Sequence, residues 1–361
     1  MMLICRLIDF KEFMTEFNVG LIGYGMASRV FHAPFITATP GLKLTKVVER
    51  RSSAAKEEYP FVEIVRDVRE LLGDEAVDLI VVATPNSTHF EFARQALAAG
   101  KNVIVEKPFT ITSAQAKELI NLAREQDLLL SVHQNRRWDG DFLTLRKIIG
   151  AGVLGTLVEY EAHYDRFRNH ARGGWKESDE GTGVLYDLGA HLIDQAQILF
   201  GLPQEITADI RVQRGFSKTV DNFELILHYE RLKVTLKSGM LVREPLPRYI
   251  LHGTRGSFVK YGLDPQEEAL NEGRKPTGPH WGVEPKSQWG RINTEIEDLH
   301  FEGAIETLPG CYQAYYQNIV AVLRGQAELA VKPAEAFNTI RIIETALQSS
   351  LEKRTIVFSA D

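Results

Sequence analysis

Asp187 and His191 stand four residues apart in the stretch GTGVLYDLGAHLID at 181–194. On a helix that interval sets a carboxylate and an imidazole on one face, and imidazole exchanges a proton near neutral pH. Asp194 and Gln195 continue roughly the same face, while Leu185, Leu192, Ile193 and Leu199 belong to the apolar one. The spacing admits two readings: a polar stripe turned to solvent, as on any amphipathic helix, or an acid–base pair. A second signal favours the pair. In VIVEKP, at 103–108, Lys107 closes an apolar strand; alone it also reads as a salt-bridged edge residue, but an ammonium there can donate a hydrogen bond to a reacting oxygen.

Such groups need a platform, and VGLIGYGMAS at 19–28 reads as one. A buried strand runs into a glycine turn and then a helix. Gly23 permits the tight turn, Gly25 lets the backbone approach a pyrophosphate, and Ser28 replaces the third small residue that allows helix–strand packing. Strand-like runs follow at 44–49, 78–83, 102–105 and 128–133. Helical ones lie between them at 30–38 (strained by Pro34), 52–59, 89–99 and 113–126. This alternation predicts a parallel sheet covered by helices, with ligand beyond the carboxyl ends of its strands. The expected dinucleotide contacts are Gly23, Tyr24, Gly25, Met26 and Ala27, then Glu49, Arg50 and Arg51, then Thr84, Pro85, Asn86 and His89, and finally Glu106, Lys107 and Pro108. Glu49 lies where an acid reads the ribose 2′-hydroxyl, while Arg50, Arg51 and Ser52 could hold a 2′-phosphate. The balance leans slightly to NAD over NADP. Arg50 and Arg51 also read as solvated surface charges, and His89 as a helix-start residue.

Beyond residue 137 the pattern changes. A connecting helix is expected at 141–149, a long strand at 156–168 and the amphipathic helix at 183–200. Strands at 207–214, 222–229, 232–237, 248–252 and 257–259 suit an open, mainly antiparallel sheet. Residues 263–293, rich in Pro, Gly and Trp, read as a long surface loop, and helices near 312–324 and 333–352 close the chain. The expected organisation is an extension over 1–16, a Rossmann dinucleotide-binding domain over 17–137 and an α/β domain over 138–361.

Composition narrows the class. The 361 residues are 44% hydrophobic and 25% charged, with formal net charge -6. That balance gives no basic field for nucleic acid, and no apolar run is long enough to span a membrane. Two cysteines, Cys5 and Cys311, supply neither a disulfide framework nor a cysteine-rich metal site. A reducing cytoplasm is the expected setting. His163, His170, His252, His280 and His300 lack metal-ligand spacing, so no metal is expected.

Together with ATPNSTH at 83–89, QNRRWDGDFLTL at 134–145, HYDRFR at 163–168 and YGLDPQEEAL at 261–270, these motifs resemble the Gfo/Idh/MocA oxidoreductase family, nearest its scyllo-inositol dehydrogenase-like members. The resemblance covers nearly the whole chain from Phe17. It implies a Rossmann domain followed by an α/β domain with an open sheet, a cis Lys107–Pro108 bond, a homo-oligomer (dimer or tetramer), and Lys107, Asp187 and His191 as the catalytic set. His191 would serve as base in oxidation and acid in reduction, Lys107 as hydrogen-bond donor to the alkoxide, and Asp187 as the group that orients and tunes both. Asn135, Arg136, Asp165 and Arg168, with Trp175 as an apolar wall, would read a sugar or polyol. Arg136, Arg137 and Arg168 also suit structural ion pairs, and Asp165 and Arg166 could brace the sheet. The expected activity is NAD(P)-dependent hydride transfer at a secondary alcohol of a sugar or cyclitol. The alternatives are an NAD-dependent glycosidase working by transient oxidation and a non-catalytic dinucleotide sensor.

Overall fold

The computed structural model describes residues 16–359 apart from 172, 178 and 180, so the extension expected over 1–16 lies outside them, save for Glu16. Apolar runs that helices cover from both sides build the first sheet. Its strands are β1 (Phe17–Ile22), β2 (Leu42–Val48), β3 (Glu63–Val65), β4 (Leu79–Val82), β5 (Asn102–Val105) and β6 (Leu130–Val132). They are parallel, in the order β3-β2-β1-β4-β5-β6. Val19, Leu21, the whole of β4 and Val103, Ile104 and Val105 are fully buried. The helices between them are α1 (Ala33–Ala38), α2 (Ala54–Glu58), α3 (Val68–Leu72), α4 (His89–Ala98) and α5 (Ser113–Glu125). Strand order reverses between β1 and β4, the crevice where such sheets bind ligand. Pro34 does not strain its helix. It stands in the first turn of α1, where a missing N–H costs nothing, and the chain reaches it through a π-helical turn, Ser28–His32.

The second layer follows α6 (Gly140–Gly150). Its elements are β7 (Leu157–His163), α7 (Ala190–Phe200), β8 (Glu205–Arg211), β9 (Asn222–His228), β10 (Lys233–Gly239), β11 (Tyr249–Gly253), β12 (Gly256–Lys260), α8 (Gln266–Asn271), β13 (Gly290–Ile296), β14 (Leu299–Ile305), α9 (Gln313–Leu323), α10 (Pro333–Glu352) and β15 (Ile356–Val357). The nine strands run β14-β13-β12-β11-β7-β10-β9-β8-β15. β7 and β10 pair in parallel, and the other neighbours are antiparallel. Along β9, Phe223, Leu225 and Leu227 alternate inward and are buried. The strand expected over 156–168 stops at His163, with Phe167 making an isolated bridge to Leu241. Among the described residues no helix is long and apolar enough to cross a membrane.

Residues 263–293 correct an expectation in part. Their ends form α8 and the start of β13, while 272–289 between them are the expected, mostly exposed loop with one short 3-10 turn. The anchor is Gln266, fully buried. Its amide donates to Trp138 O at 3.2 Å and Asp264 Oδ1 at 3.0 Å, and its carbonyl accepts from Trp281 Nε1 at 3.0 Å and Tyr312 N at 2.9 Å. A polar side chain that satisfies itself inside leaves no hydrophobic signature.

The layers are tied together by Arg137. Its Nε and Nη2 donate to the two oxygens of Asp194 at 2.8 and 2.6 Å, and its Nη1 donates to Glu335 Oε2 at 2.8 Å and Ala330 O at 2.7 Å. Arg137 is 5% exposed and Asp194 1%, so the polar stripe of α7 does not face solvent. Burial raises the Asp194 carboxyl above its ordinary value although Arg137 opposes this. Arg137→Met leaves that carboxylate uncompensated and should lower unfolding free energy by about 3–5 kcal/mol, read from urea midpoints. A loss below about 1 kcal/mol would refute the clamp.

Candidate active site

The glycine turn is closed by its own serine: Ser28 Oγ donates to Gly23 O at 2.7 Å, and Ser28 is fully buried. Gly23 has φ +90, and a Cβ there would approach Ala83 O to 3.0 Å. At Gly25 an added Cβ would meet nothing within 4 Å, because it would project into the cleft. That open cradle fits a dinucleotide pyrophosphate. Tyr24 beside it donates to Glu58 Oε2 at 2.8 Å.

Gly23, Tyr24, Gly25, Met26 and Ala27 form one end of a cleft of about 1640 Å³, more than the roughly 300–1,000 Å³ of a drug-sized site. Glu49, Arg50, Arg51, Thr84, Pro85, Asn86, His89, Glu106, Lys107, Asn135, Arg136, Arg168, Trp175, Asp187 and His191 also line it. Two expected contacts do not. Pro108, beyond the cis Lys107–Pro108 bond, turns its carbonyl to His89 Nδ1 at 2.8 Å. Asp165 spends its oxygens within the second layer, on Gly239 N at 2.8 Å and His163 Nδ1 at 3.0 Å. His89 also meets Thr84 O through Nε2 at 3.0 Å, so its ring braces two cleft loops.

Glu49 is the main correction. Only 5% exposed, it accepts from Ala55 N at 2.7 Å, from Ala54 N at 3.1 Å and from Ser52 Oγ. The carboxylate expected to read a ribose caps the start of α2 instead, where free N–H groups and the helix dipole favour an anion. Arg66 holds the same loop through Glu49 O at 2.7 Å and Ser53 Oγ at 2.9 Å. Arg50 and Arg51 are exposed and make no hydrogen bond or ion pair to the described residues. What this end of the cleft offers is cationic.

At the other end, Lys107 Nζ donates to Asp187 Oδ1 at 2.7 Å and Asp187 O at 2.9 Å. Burial works against the ammonium, but Asp187 and Glu106 outweigh it and raise its pKa. Two of its three N–H donors are occupied, leaving one for a ligand. Asp187 lies in a π-helical turn, Leu185–Gly189, that runs into α7 and His191. His191 is 4% exposed, and its Nδ1 is buried without a hydrogen bond. Burial, then Lys107 and Arg136, hold the imidazole well below its usual pKa. Its ring is uncharged at neutral pH, able to accept a proton.

Several residues that face this site were not expected from the sequence. Tyr164, Arg166 and Glu267 line the cleft. Arg136 donates to Glu267 and lies 3.5 Å from Asp139, while Arg166 stacks 4.6 Å from the Tyr164 ring centre. Glu267 falls in the misread segment, where Asp264-Pro265 followed by Glu267 and Glu268 is a helix-start pattern.

Comparison with known proteins agrees over both layers. The family model described as "Oxidoreductase family, NAD-binding Rossmann fold" (GFO_IDH_MocA) matches residues 17–134, and that for the C-terminal alpha/beta domain matches 146–358. The oxidoreductase YdgJ of Escherichia coli K12 is 44% identical, with 94% of this chain and 98% of that protein aligned. Scyllo-inositol 2-dehydrogenase (NADP(+)) IolW of Bacillus subtilis is 40% identical over 97% and 98%. Among solved structures, the oxidoreductase YvaA of Bacillus subtilis superposes with a TM-score of 0.93 at 39% identity, covering 96% and 99%.

Gly25→Val should abolish dinucleotide binding, measured by fluorescence titration, while the thermal midpoint moves little. Retained binding would mean that the cradle serves something else.

Proposed function

The chain belongs to the Gfo/Idh/MocA oxidoreductase family and is a dehydrogenase acting on alcohol groups; from that premise we propose that it oxidises a secondary alcohol of a sugar or cyclitol with NADP. The observation that carries this reading is the juxtaposition of a charged Lys107 with an uncharged His191 whose Nδ1 has no hydrogen bond, in a polar cleft. The bound nicotinamide supplies the hydride acceptor. His191 takes the hydroxyl proton as the carbon–hydrogen bond gives up its hydride, and returns it in the reverse direction. Lys107 points its remaining N–H at the substrate oxygen and stabilises the developing alkoxide. Asp187 fixes Lys107 and keeps it protonated.

Arg136, Glu267, Arg166 and Asn135 offer several donors and a carboxylate acceptor to one ligand, which suits a ring bearing many hydroxyls. IolW, named for scyllo-inositol, makes cyclitols the first substrates to test. NADP is preferred over NAD because Glu49 is committed to α2 while Arg50 and Arg51 stand free for a 2′-phosphate. We assign Trp175 as the apolar wall and Arg168 as a further substrate contact.

Lys107→Met and His191→Ala should each lower turnover roughly 10²–10⁴-fold with NADP binding intact. Unchanged rates on the true substrate would reject the assignment. Because the base must be uncharged and its pKa is depressed, the oxidation rate should stay level as pH falls through the ordinary imidazole value of about 6.5 and drop only below it. Arg50→Ala combined with Arg51→Ala should raise KM for NADP at least ~10-fold and leave that for NAD within about twofold. The substrate screen pairs inositols, aldoses and glucosides with each cofactor, and glycoside cleavage without net reduction would point to a glycosidase.

A further inference from the structure

Beneath Lys107 lies a buried cluster that proton transfer at His191 does not use. Glu106 Oε1 accepts from His32 Nε2 at 3.0 Å and from His133 Nδ1 at 2.8 Å. Its Oε2 accepts the Lys107 backbone N–H at 2.9 Å. On the far side, His32 Nδ1 meets Tyr316 Oη at 2.6 Å. Glu106 is 6% exposed, His133 2%, and His32 and Tyr316 are fully buried. The π-helical turn after the glycines, the ends of β5 and β6, and α9 each contribute one member.

The hydrogen bonds assign the protons. Burial, with His133 nearby, pushes the His32 pKa down to about 4, so that ring is neutral and carries one N–H. Since Nε2 donates to Glu106, Nδ1 is the acceptor and Tyr316, kept protonated by burial, is its donor. Glu106 therefore collects three N–H groups. Burial alone would raise its pKa, but the bonds from His133 and His32 prevail and hold it well below the usual range. The same three residues bring possible metal-ligating atoms within 4.8 Å. Here, though, each nitrogen facing Glu106 bears a hydrogen, at ordinary N–H···O distances.

The other charges around the cleft floor have contact partners of their own. Lys107 has Asp187, Arg136 has Glu267 and Asp139, and His191 is uncharged. What touches Glu106 directly is a set of N–H groups, and its charge also favours the nearby Lys107 ammonium. Glu106 lines the cleft as well, at the carboxyl end of β5. One partner in the proposed reaction is a cation that loses its charge on accepting hydride: the oxidised nicotinamide ring.

We propose that Glu106 is the fixed counter-charge for the oxidised nicotinamide, held ionised by His32, His133 and Tyr316, and that it tilts affinity toward the oxidised cofactor. This rests on the dehydrogenase reading above. The test is calorimetric titration of the full chain with NADP⁺ and with NADPH at about pH 8, above the ordinary imidazole pKa. The wild-type protein should bind NADP⁺ at least as tightly as NADPH. Glu106→Gln should weaken NADP⁺ roughly tenfold relative to NADPH, whereas Glu106→Asp, which keeps the charge, should hold the ratio within about twofold. Circular dichroism checks that both variants fold, and the wild-type comparison stands if they do not.

Equal weakening of both cofactors in Glu106→Gln would overturn the proposal. So would tenfold tighter wild-type binding of NADPH, or one equivalent of metal in the purified protein. If neither cofactor binds the wild-type chain, the dehydrogenase reading falls as well, which separates the two failures.

Discussion

Lys107 and Asp187 are 80 residues apart in the chain, and their 2.7 Å contact joins the end of a parallel strand to the turn that leads into α7 and His191. The rest of the site is arranged about that pair. Burial makes the Lys107 charge expensive, and the Asp187 carboxylate, a second bond to the Asp187 carbonyl and the Glu106 charge outweigh that cost. The neighbouring imidazole is set differently. Burial first, then the Lys107 ammonium and Arg136, discourage protonation of His191 against the opposing charge of Asp187, so an uncharged base stands beside a charged donor.

Holding two layers in register to within a hydrogen bond takes more than one contact. Arg137 ties the end of the first layer to α7 and α10. Tyr316 reaches from α9 to His32, and Asn86 Nδ2 donates to Gly181 O at 2.7 Å, just before the turn that bears Asp187. α10 packs on α5 of the first layer and on β8 and α7 of the second. These links are mostly polar and mostly buried, so the geometry of the cleft is fixed by directional bonds as well as by apolar contact.

The same property decides what was legible in the sequence. Apolar strands announce themselves: expected and observed bounds coincide for β5, 102–105, and for the long helix α10, 333–352. The parallel first sheet and the mostly antiparallel second one both followed from pattern. Short β3 and α3 carried too few apolar residues to show a period. Gln266 escaped because its burial rests on four hydrogen bonds. Glu49 was correctly located at the end of β2, but direction is a tertiary fact: its carboxylate turned back to α2. His32, His133 and Tyr316 are separated by about a hundred residues or more and share no spacing, so no local rule unites them with Glu106.

Glu49 couples the rim of the cleft to the start of a helix. A carboxylate that stitches down the start of α2 also vacates the place where a dehydrogenase ordinarily distinguishes its two coenzymes. Replacing Glu49 would leave the N–H groups of Ala54 and Ala55 without their acceptor, so a change at this rim of the cleft is felt first as fraying of a helix.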